Sequence, residues 1–289
     1  KWIGPNDYRS SIMWSAGMHD GIVARLGFDG QGTNVIGFRY ERDFGVPLNQ
    51  SFNRVQDCTF KDMGSGIANT DYVPGVGTDS EISIQRCRFY RCSNWGVTTY
   101  AGEAYDYFIR NCYFEACGKG VGVQLEDGYS NFYPHIQYWG SGVGQLCVYD
   151  SVFNGSKECD VYGIHGQNIG VRRNVSINSF RFFIGDTALL SVTDNRIIYP
   201  IATDCVNQIS QFGGGGGSRR VSIWFANNEF CMRPDASGPI YRELYLIAQD
   251  GNYGFRTNEV SSDIRMISGA FSAYNNRFNV DYEIGRAHV

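Results

Sequence analysis

The chain has little lysine, little proline and few charges of either sign. Its 289 residues include four lysines against 21 arginines and 7 prolines, the charged fraction is 19%, and the formal net charge is −4. No basic excess or basic run is present, so we exclude nucleic acid as a partner. No stretch approaches 18 consecutive apolar residues, so we predict no membrane span.

Cysteine is present nine times, but no CxxC pair occurs. Three of the cysteines, at 58, 87 and 112, occupy the same position in a repeated phrase, and those at 92 and 117 share a second position. Cysteines stacked with parallel side chains form disulfides poorly, and an odd count leaves one thiol over. We therefore predict free, packed thiols and no metal site built from cysteine.

What the chain does contain is glycine (36 residues), aromatic residues (15%) and a recurring phrase. The phrase is an aliphatic residue, two polar residues, a Cys, Ser or Asn that we call the anchor, any residue, and usually Phe. Anchors fall at 58, 87, 112, 151, 174, 195, 228 and 276, at steps of 21 to 48 residues. A repeat of this length with apolar residues at every second position predicts stacked β-strands with the length variation in loops.

The sequence therefore predicts an all-β fold: one parallel β-helix domain over residues 1–283, with about nine or more coils. The third and fifth residues before each anchor are apolar and should face the core. The Phe two residues after the anchor should stack on its equivalents, interrupted at Ser176. Asn anchors should form side-chain amide ladders, and alternating Asp and Arg just before the anchors should form a structural ion-pair rail.

The last six residues, 284–289, resemble the translation of a sequencing-library adapter. We expect this segment to be a non-native tail, and His288 is given no role.

Two excursions interrupt the compact coils, at 122–144 and around the five glycines at 213–217. Long loops on a rigid scaffold often carry binding residues, although the aromatic loop could simply pad the coil. The first excursion contains Tyr138 and Trp139. His165, flanked by Gly163 and Gly166, is expected on a turn from which it could reach a groove.

Residues at even offsets before the anchor should face outward and form columns along one exposed sheet. Glu81 and Asp106, each six residues before an anchor, would then lie one coil apart, with carboxyl groups about 5 Å from each other. Two carboxyl groups at that separation suit a retaining glycosidase or transglycosidase, where one attacks and the other protonates the leaving oxygen. Solvated carboxylates on neighbouring coils are the structural alternative.

The segments 86–92, 104–121 and 148–153 resemble the pectate-lyase-like superfamily of parallel β-helices, and more narrowly its glycosyl-hydrolase-related, uncharacterised bacterial members. The resemblance implies right-handed coils, a polysaccharide or oligosaccharide ligand, and secretion or a cell-envelope location. The Asp-Asp-His pattern of the polygalacturonase branch has no evident match here. The calcium-binding carboxylates and basic residues of pectate lyases also lack a clear match.

Three hypotheses follow for function. In the first, a glycoside hydrolase or transglycosidase uses Glu81 and Asp106 without a cofactor. In the second, a polysaccharide lyase acts on a uronate-containing glycan, with Arg110 or Arg172 as uronate contact or base and carboxylates holding Ca²⁺. In the third, the solenoid is a non-catalytic glycan-binding, adhesin-like or tail-fibre-like scaffold, with a homotrimer as one form. The predicted substrate-binding residues are Trp95, Tyr100, Phe108, Arg110, Tyr138, Trp139, His165 and Arg172.

Overall fold

The computed structural model describes residues 10–16, 18–41, 50–69, 79–99, 106–118, 136–139, 145–201, 204–209, 221–231, 245–250 and 269–279. Within these ranges the chain forms 27 strands and no helix. Every strand pairing found among them is parallel. No helix in the described ranges is therefore long and apolar enough to cross a membrane.

The strands form three faces of a coil. The first face comprises β2 (Ile22–Ala24), β6 (Arg54–Gln56), β10 (Ile82–Gln85), β13 (Tyr107–Arg110), β16 (Gln145–Tyr149), the second half of β18 (Val161–Arg172), the second half of β20 (Phe183–Thr193), β23 (Val221–Ala226) and β26 (Gly269–Tyr274).

The second face comprises β3 (Gly27–Asp29), β7 (Thr59–Lys61), β11 (Arg88–Tyr90), β14 (Tyr113–Glu115), β17 (Val152–Asn154), β19 (Val175–Ile177), β21 (Arg196–Ile198), β24 (Glu229–Cys231) and β27 (Arg277–Asn279).

The third face comprises β1 (Ser11–Ala16), β4 (Ile36–Glu41), β8 (Ser65–Asn69), β12 (Trp95–Thr99), β15 (Ile136–Trp139), the first halves of β18 and β20, β22 (Asp204–Ile209) and β25 (Tyr245–Asp250). Two short strands, β5 (Gln50–Ser51) and β9 (Asp79–Ser80), pair separately.

The second face alone has nine strands, one for each coil, which confirms the parallel β-helix of about nine coils. The right-handed sense and the single-domain boundary at residue 283 stay predictions. The adapter-like segment 284–289 and the glycines at 213–217 lie outside the described residues.

The core is the interior of the coil, and the columns predicted for it are buried. Along β10 and β13, the residues at odd offsets before the anchor, such as Ile84 and Ile109, are at most 2% exposed. The Phe column stacks face to face, with 4.7 to 5.1 Å between the centroids of successive rings. Each buried ring contributes about 1.5–3 kcal/mol, so the column stabilises the stack of coils. The stacked rings are those of Phe28, Phe60, Phe89, Phe114 and Phe153.

The bend before each anchor has the same backbone conformation in every described coil. The residue preceding the anchor has a φ between +50° and +59°, the left-handed region, although none of these residues is glycine. Its N–H continues the ladder by donating to a carbonyl of the next coil, as from Asp57 to Gln85 at 3.1 Å. Asn and Asp tolerate this conformation best, and they occupy most of these bends. The bend residues are Asp57, Arg86, Asn111, Asp150, Arg173, Asp194, Asn227 and Asn275, and Arg25 holds the same place in the first coil, where Leu26 follows it.

Asn anchors form the predicted ladder. The side-chain N–H of Asn195 donates to the Asn228 side-chain oxygen at 2.9 Å and to the Val171 carbonyl at 2.9 Å. In turn, its own oxygen accepts from the Asn174 backbone N–H at 2.9 Å and from the Asn174 side chain at 3.1 Å. The pattern repeats to Asn276, so each amide satisfies backbone groups of two coils.

Cysteines fill the same anchor position earlier in the chain. Cys58, Cys87 and Cys112 are buried and form no disulfide. Interaction with the Cys112 thiol, together with burial, raises the pKa of Cys87 to about 12. These thiols are therefore uncharged packing groups, as the column placement predicts.

Two predictions about irregular segments are wrong. Residues 136–139, expected inside a long excursion, form β15, which pairs with β12 and β18 on the third face. His165 was expected on a turn but lies within the continuous strand β18. The register between β18 and β20 shifts between Ile164 and Gly166, so the chain passes the corner by a bulge.

Candidate functional site

The outward side of the first face carries the predicted columns. Ser83 aligns with Phe108, Phe108 with Cys147, and Cys147 with Gly170. The neighbouring column, two residues before the anchors, contains Gln85, Arg110, Tyr149 and Arg172 in successive coils. The alignment inferred from the anchors is confirmed at each of these positions. We call this surface, from β10 to β18, the central patch.

Glu81 and Asp106 stand at the edge of the central patch, each immediately before a strand of the first face. The Ile82 N–H donates to the Asp106 carbonyl at 3.0 Å, so the two residues belong to adjacent coils at the same position. Both have left-handed backbones, with φ of 55° and 45°. The same conformation occurs at Asp20 and Phe52 in the preceding coils, which shows a repeated turn rather than strain specific to this pair.

Tyr149 is the centre of the patch. Its hydroxyl donates to the Cys147 sulfur at 3.3 Å, and a Cβ placed on Gly170 would lie 3.0 Å from the same hydroxyl oxygen. The absence of a side chain at Gly170 therefore leaves space for the Tyr149 phenol. Burial, followed by the hydrogen bond to Cys147, raises the pKa of Tyr149 to about 12. The phenol is consequently a neutral proton donor at physiological pH.

Two guanidinium groups flank Tyr149. The Arg172 guanidinium carbon lies 5.8 Å from the centroid of the Tyr149 ring, and that of Arg173 lies 5.6 Å from it on the neighbouring bend. Arg110 stands in the preceding coil and is exposed. Both Arg110 and Arg172 influence the Cys147 thiol electrostatically, as does Asp106, so these groups converge around that position.

Arg110 and Arg172 differ from Arg86 and Arg173 at the bends in having no carboxylate partner among the described residues. Within the described ranges neither forms an ion pair, and the Arg172 Nε is buried with no hydrogen-bond partner. By contrast, Arg86 donates to both Asp57 oxygens at 2.7 and 3.0 Å, and Arg173 donates to Asp150 in the same way at 2.7 and 2.9 Å.

Those bend pairs form the predicted structural rail. The Arg86 guanidinium holds the pKa of Asp57 below its usual value, and Arg173 does the same for Asp150. A second rail, which the sequence reasoning missed, joins Arg91 to Asp62 at 2.6 and 3.0 Å. Exposed pairs of this kind contribute little to stability and leave no charge free for a ligand.

The predicted aromatic contacts are only partly available. Trp95 is 2% exposed because it lies on the same side of β12 as the core residue Val97, so its ring packs inside the coil and the prediction of sugar stacking is wrong. Phe108 is half-buried on the central patch. Tyr100 lies outside the described residues. The backbones of Tyr138, Trp139 and His165 are in strands, but their side chains lie outside the described part of the structure.

Sequence reasoning did not single out Tyr149, although its position between Arg110 and Arg172 in one column was readable from the anchor spacing. It also missed Trp224 and Tyr274, which extend the columns of the first face two and three coils beyond Arg172. Trp224 and Tyr274 lie at even offsets before their anchors. That offset was the only feature of the sequence that predicted an outward side chain at either position.

A metal site would need several oxygen ligands at one place. Across the ranges that the structure describes, no three His, Cys, Asp or Glu side chains converge to hold a metal ion. Glu81 and Asp106 supply two carboxylates at the edge of the patch, so a Ca²⁺ requirement stays a hypothesis to be tested by chelation.

No known protein family and no curated protein matches the chain. Among solved structures, it is similar to a mutant of the PL6-family alginate lyase AlyGC, at 10% sequence identity and a TM-score of 0.29. The match covers 92% of this chain and 50% of that chain, so this chain spans about half the length of that lyase. The fold assignment rests on the strand register described above.

Proposed function

We propose that the central patch binds an acidic, uronate-containing polysaccharide and cleaves it by β-elimination. The observation that carries the proposal is the pair of arginines, Arg110 and Arg172, that take no carboxylate partner in the described structure, while Arg86 and Arg173 at the bends are paired. Unpaired guanidinium groups on an otherwise acidic protein favour an anionic ligand, and the guanidinium fork matches a carboxylate.

The spacing of the two arginines supports a polymeric ligand. Arg110, Tyr149 and Arg172 occupy three successive coils, so the arginine positions are two coil steps apart, roughly 10 Å at about 4.8 Å per step. That separation is close to the length of a disaccharide. The two guanidinium groups can therefore contact carboxylates on two sugar units of a chain that runs along the axis of the coils.

Tyr149 is the residue to which we assign the proton transfer that elimination requires. In β-elimination the C5 proton of the uronate is removed, the bond from C4 to the glycosidic oxygen breaks, and that oxygen takes up a proton. A guanidinium on the uronate carboxylate stabilises the charge that develops when C5 loses its proton. The neutral Tyr149 phenol donates to the leaving oxygen, and Asp106 is the group we assign as base because guanidinium keeps its proton at every physiological pH.

The experiment is a product assay with alginate, polygalacturonate and a neutral glucan. We expect an absorbance rise from unsaturated ends with one of the two polyuronates and none with the glucan. R110Q and R172Q should each raise KM roughly 10-fold or more, which corresponds to the loss of one charged hydrogen bond. R88Q, which makes the same change at an exposed residue of the second face, is the matched control. Equal KM values in the wild type, R110Q, R172Q and R88Q would contradict the proposal. A separate assay with EDTA distinguishes metal-dependent from metal-independent elimination.

Glycoside hydrolysis by Glu81 and Asp106 is the second candidate function, and the observation in its favour is their common position in adjacent coils. A hydrolase would release reducing ends without unsaturated product, and E81Q or D106N would abolish this release with the thermal midpoint unchanged. Binding to a glycan array without either product would support the non-catalytic scaffold, and light scattering would then test the homotrimer.

A further inference from the structure

Two aromatic rings stand exposed on the first face at its C-terminal end. Trp224 is 51% exposed and Tyr274 is 43% exposed, whereas most large apolar side chains among the described residues are buried. The Trp224 Nε1–H donates to the Tyr274 hydroxyl at 2.9 Å, and the ring centroids lie 6.3 Å apart at an angle of 41°. The hydrogen bond fixes both rings at the surface, so they form a preordered pair.

The strand register places this pair on the same columns as the central patch. Trp224 aligns with Ser191, which aligns with Gly170 and Cys147 in the preceding coils. Tyr274 aligns with Ala226 and Thr193, which continue the column of Arg172. Small residues occupy the coils in between, with Ser191, Thr193 and Ala226 each 9% exposed or less, so a low floor connects the arginines to the rings.

We propose that Trp224 and Tyr274 form a distal sugar-stacking subsite for the same polysaccharide chain. Exposed rings with one polar edge are suited to the apolar faces of pyranose rings, while the arginines contact carboxylates. From Arg110 to the coil of Trp224 there are four steps, roughly 19 Å at about 4.8 Å each. A ligand that contacts both ends must therefore be longer than a disaccharide, so the subsite selects for polymer over short fragments. The inference rests on the proposed binding function of the central patch.

The test compares binding of long and short ligands by calorimetry and glycan electrophoresis. The probes are alginate and polygalacturonate, each as polymer and as disaccharide, together with a neutral glucan. In W224A we expect the affinity for whichever polymer the wild type binds to fall about 10-fold, the effect of losing one stacked ring, with disaccharide affinity unchanged. Y274F keeps the ring and should lose less than Y274A. W14A is the matched control, since Trp14 is 54% exposed in β1, on the third face.

Each outcome has one meaning. If W224A binds polymer as tightly as the wild type while R172Q binds it weakly, the distal subsite is wrong and the proposed function stands. If W224A loses neutral glucan binding and R172Q changes nothing, the subsite binds sugar but the uronate proposal fails. If W224A instead converts an oligomer into monomers in light scattering, the rings belong to an interface between copies of the chain and the subsite is overturned.

Discussion

At the scale of single residues, Tyr149 is the position where packing and chemistry depend most on each other. Gly170 leaves space for its ring, the Cys147 sulfur accepts the hydrogen bond from its hydroxyl, and Arg172 stacks against its face. Any side chain at 170 would press on the phenol, since even a Cβ would approach the hydroxyl oxygen to 3.0 Å. The conformation of the ring is therefore fixed before any ligand arrives.

Replacing this tyrosine tests its role as proton donor. In Y149F the ring and its stacking stay, but the hydroxyl is lost, so we expect kcat to fall about 100-fold or more with KM within a few-fold. Y113F is the matched control, because Tyr113 donates to Glu115 at 2.7 Å on the second face, away from the patch. A kcat for Y149F that equals the Y113F value would exclude Tyr149 as the donor.

Several single residues could not be assigned from sequence. Tryptophan is a residue type that often stacks on sugars, which is why Trp95 was predicted to bind one. Whether it faces inward depends on which residues of β12 point to the core, and the third face has no anchor from which to predict this. His165 was expected on a turn because of its flanking glycines, whereas the strand continues through them by a bulge. Both errors arise where the spacing between anchors leaves the local register open.

At the scale of elements, the Asn ladder is the feature that ties the later coils together. The Asn195 side chain bridges three coils and leaves none of its hydrogen-bonding groups facing water, since the residue is 1% exposed. Removing it would leave a buried carbonyl and a buried amide without their partners. The cost of unsatisfied buried groups is larger than the contribution of a satisfied pair.

We expect N195A to lower the free energy of unfolding by about 3 kcal/mol, measured by urea titration monitored by circular dichroism. N227G is the control, because Asn227 is exposed on the rail, its side chain donates to Asp194 at 3.0 Å, and glycine keeps the left-handed backbone of this bend without strain. We expect N227G to cost less than about 1 kcal/mol. Similar losses in the two variants would mean that the ladder adds nothing beyond an exposed amide.

The elements of the first two faces could be predicted well, because the anchor pattern sets both the bend and the phase of the strands beside it. The Phe stack, the Asn ladder and the pairing of Asp57 with Arg86 all follow from that phase. The third face could not, since loops of varied length precede or follow its strands. β15 within the expected excursion is the example.

At the scale of the whole molecule, buried thiols link stability to pH. The pKa of Cys87 is about 12 in the folded protein, against an ordinary value near 9. Above pH 9 the unfolded chain releases the thiol proton while the folded chain keeps it. The stabilisation is therefore complete below about pH 9 and is lost as the pH rises towards about 12.

A serine at this position removes the effect, and Ser151 already occupies the same column naturally. Between about pH 9 and pH 12 we expect the unfolding free energy of the wild type to fall more steeply than that of C87S, by about 1.4 kcal/mol per pH unit. The measurement is urea denaturation at a series of alkaline pH values. Parallel curves for the two proteins would show that the thiol ionises equally in both states.

The bends described above have a consequence for how such a chain can change in length. Each begins from the same left-handed backbone at a residue that is not glycine, so Asp57 and Arg86 mark equivalent cut points. A full turn duplicated between such points would enter with matching ends and lengthen the proposed polysaccharide-binding surface by one coil, about 4.8 Å. Duplication or loss of whole coils would therefore change the length of polymer that the surface can contact, in steps of one coil, without disturbing the rest of the fold.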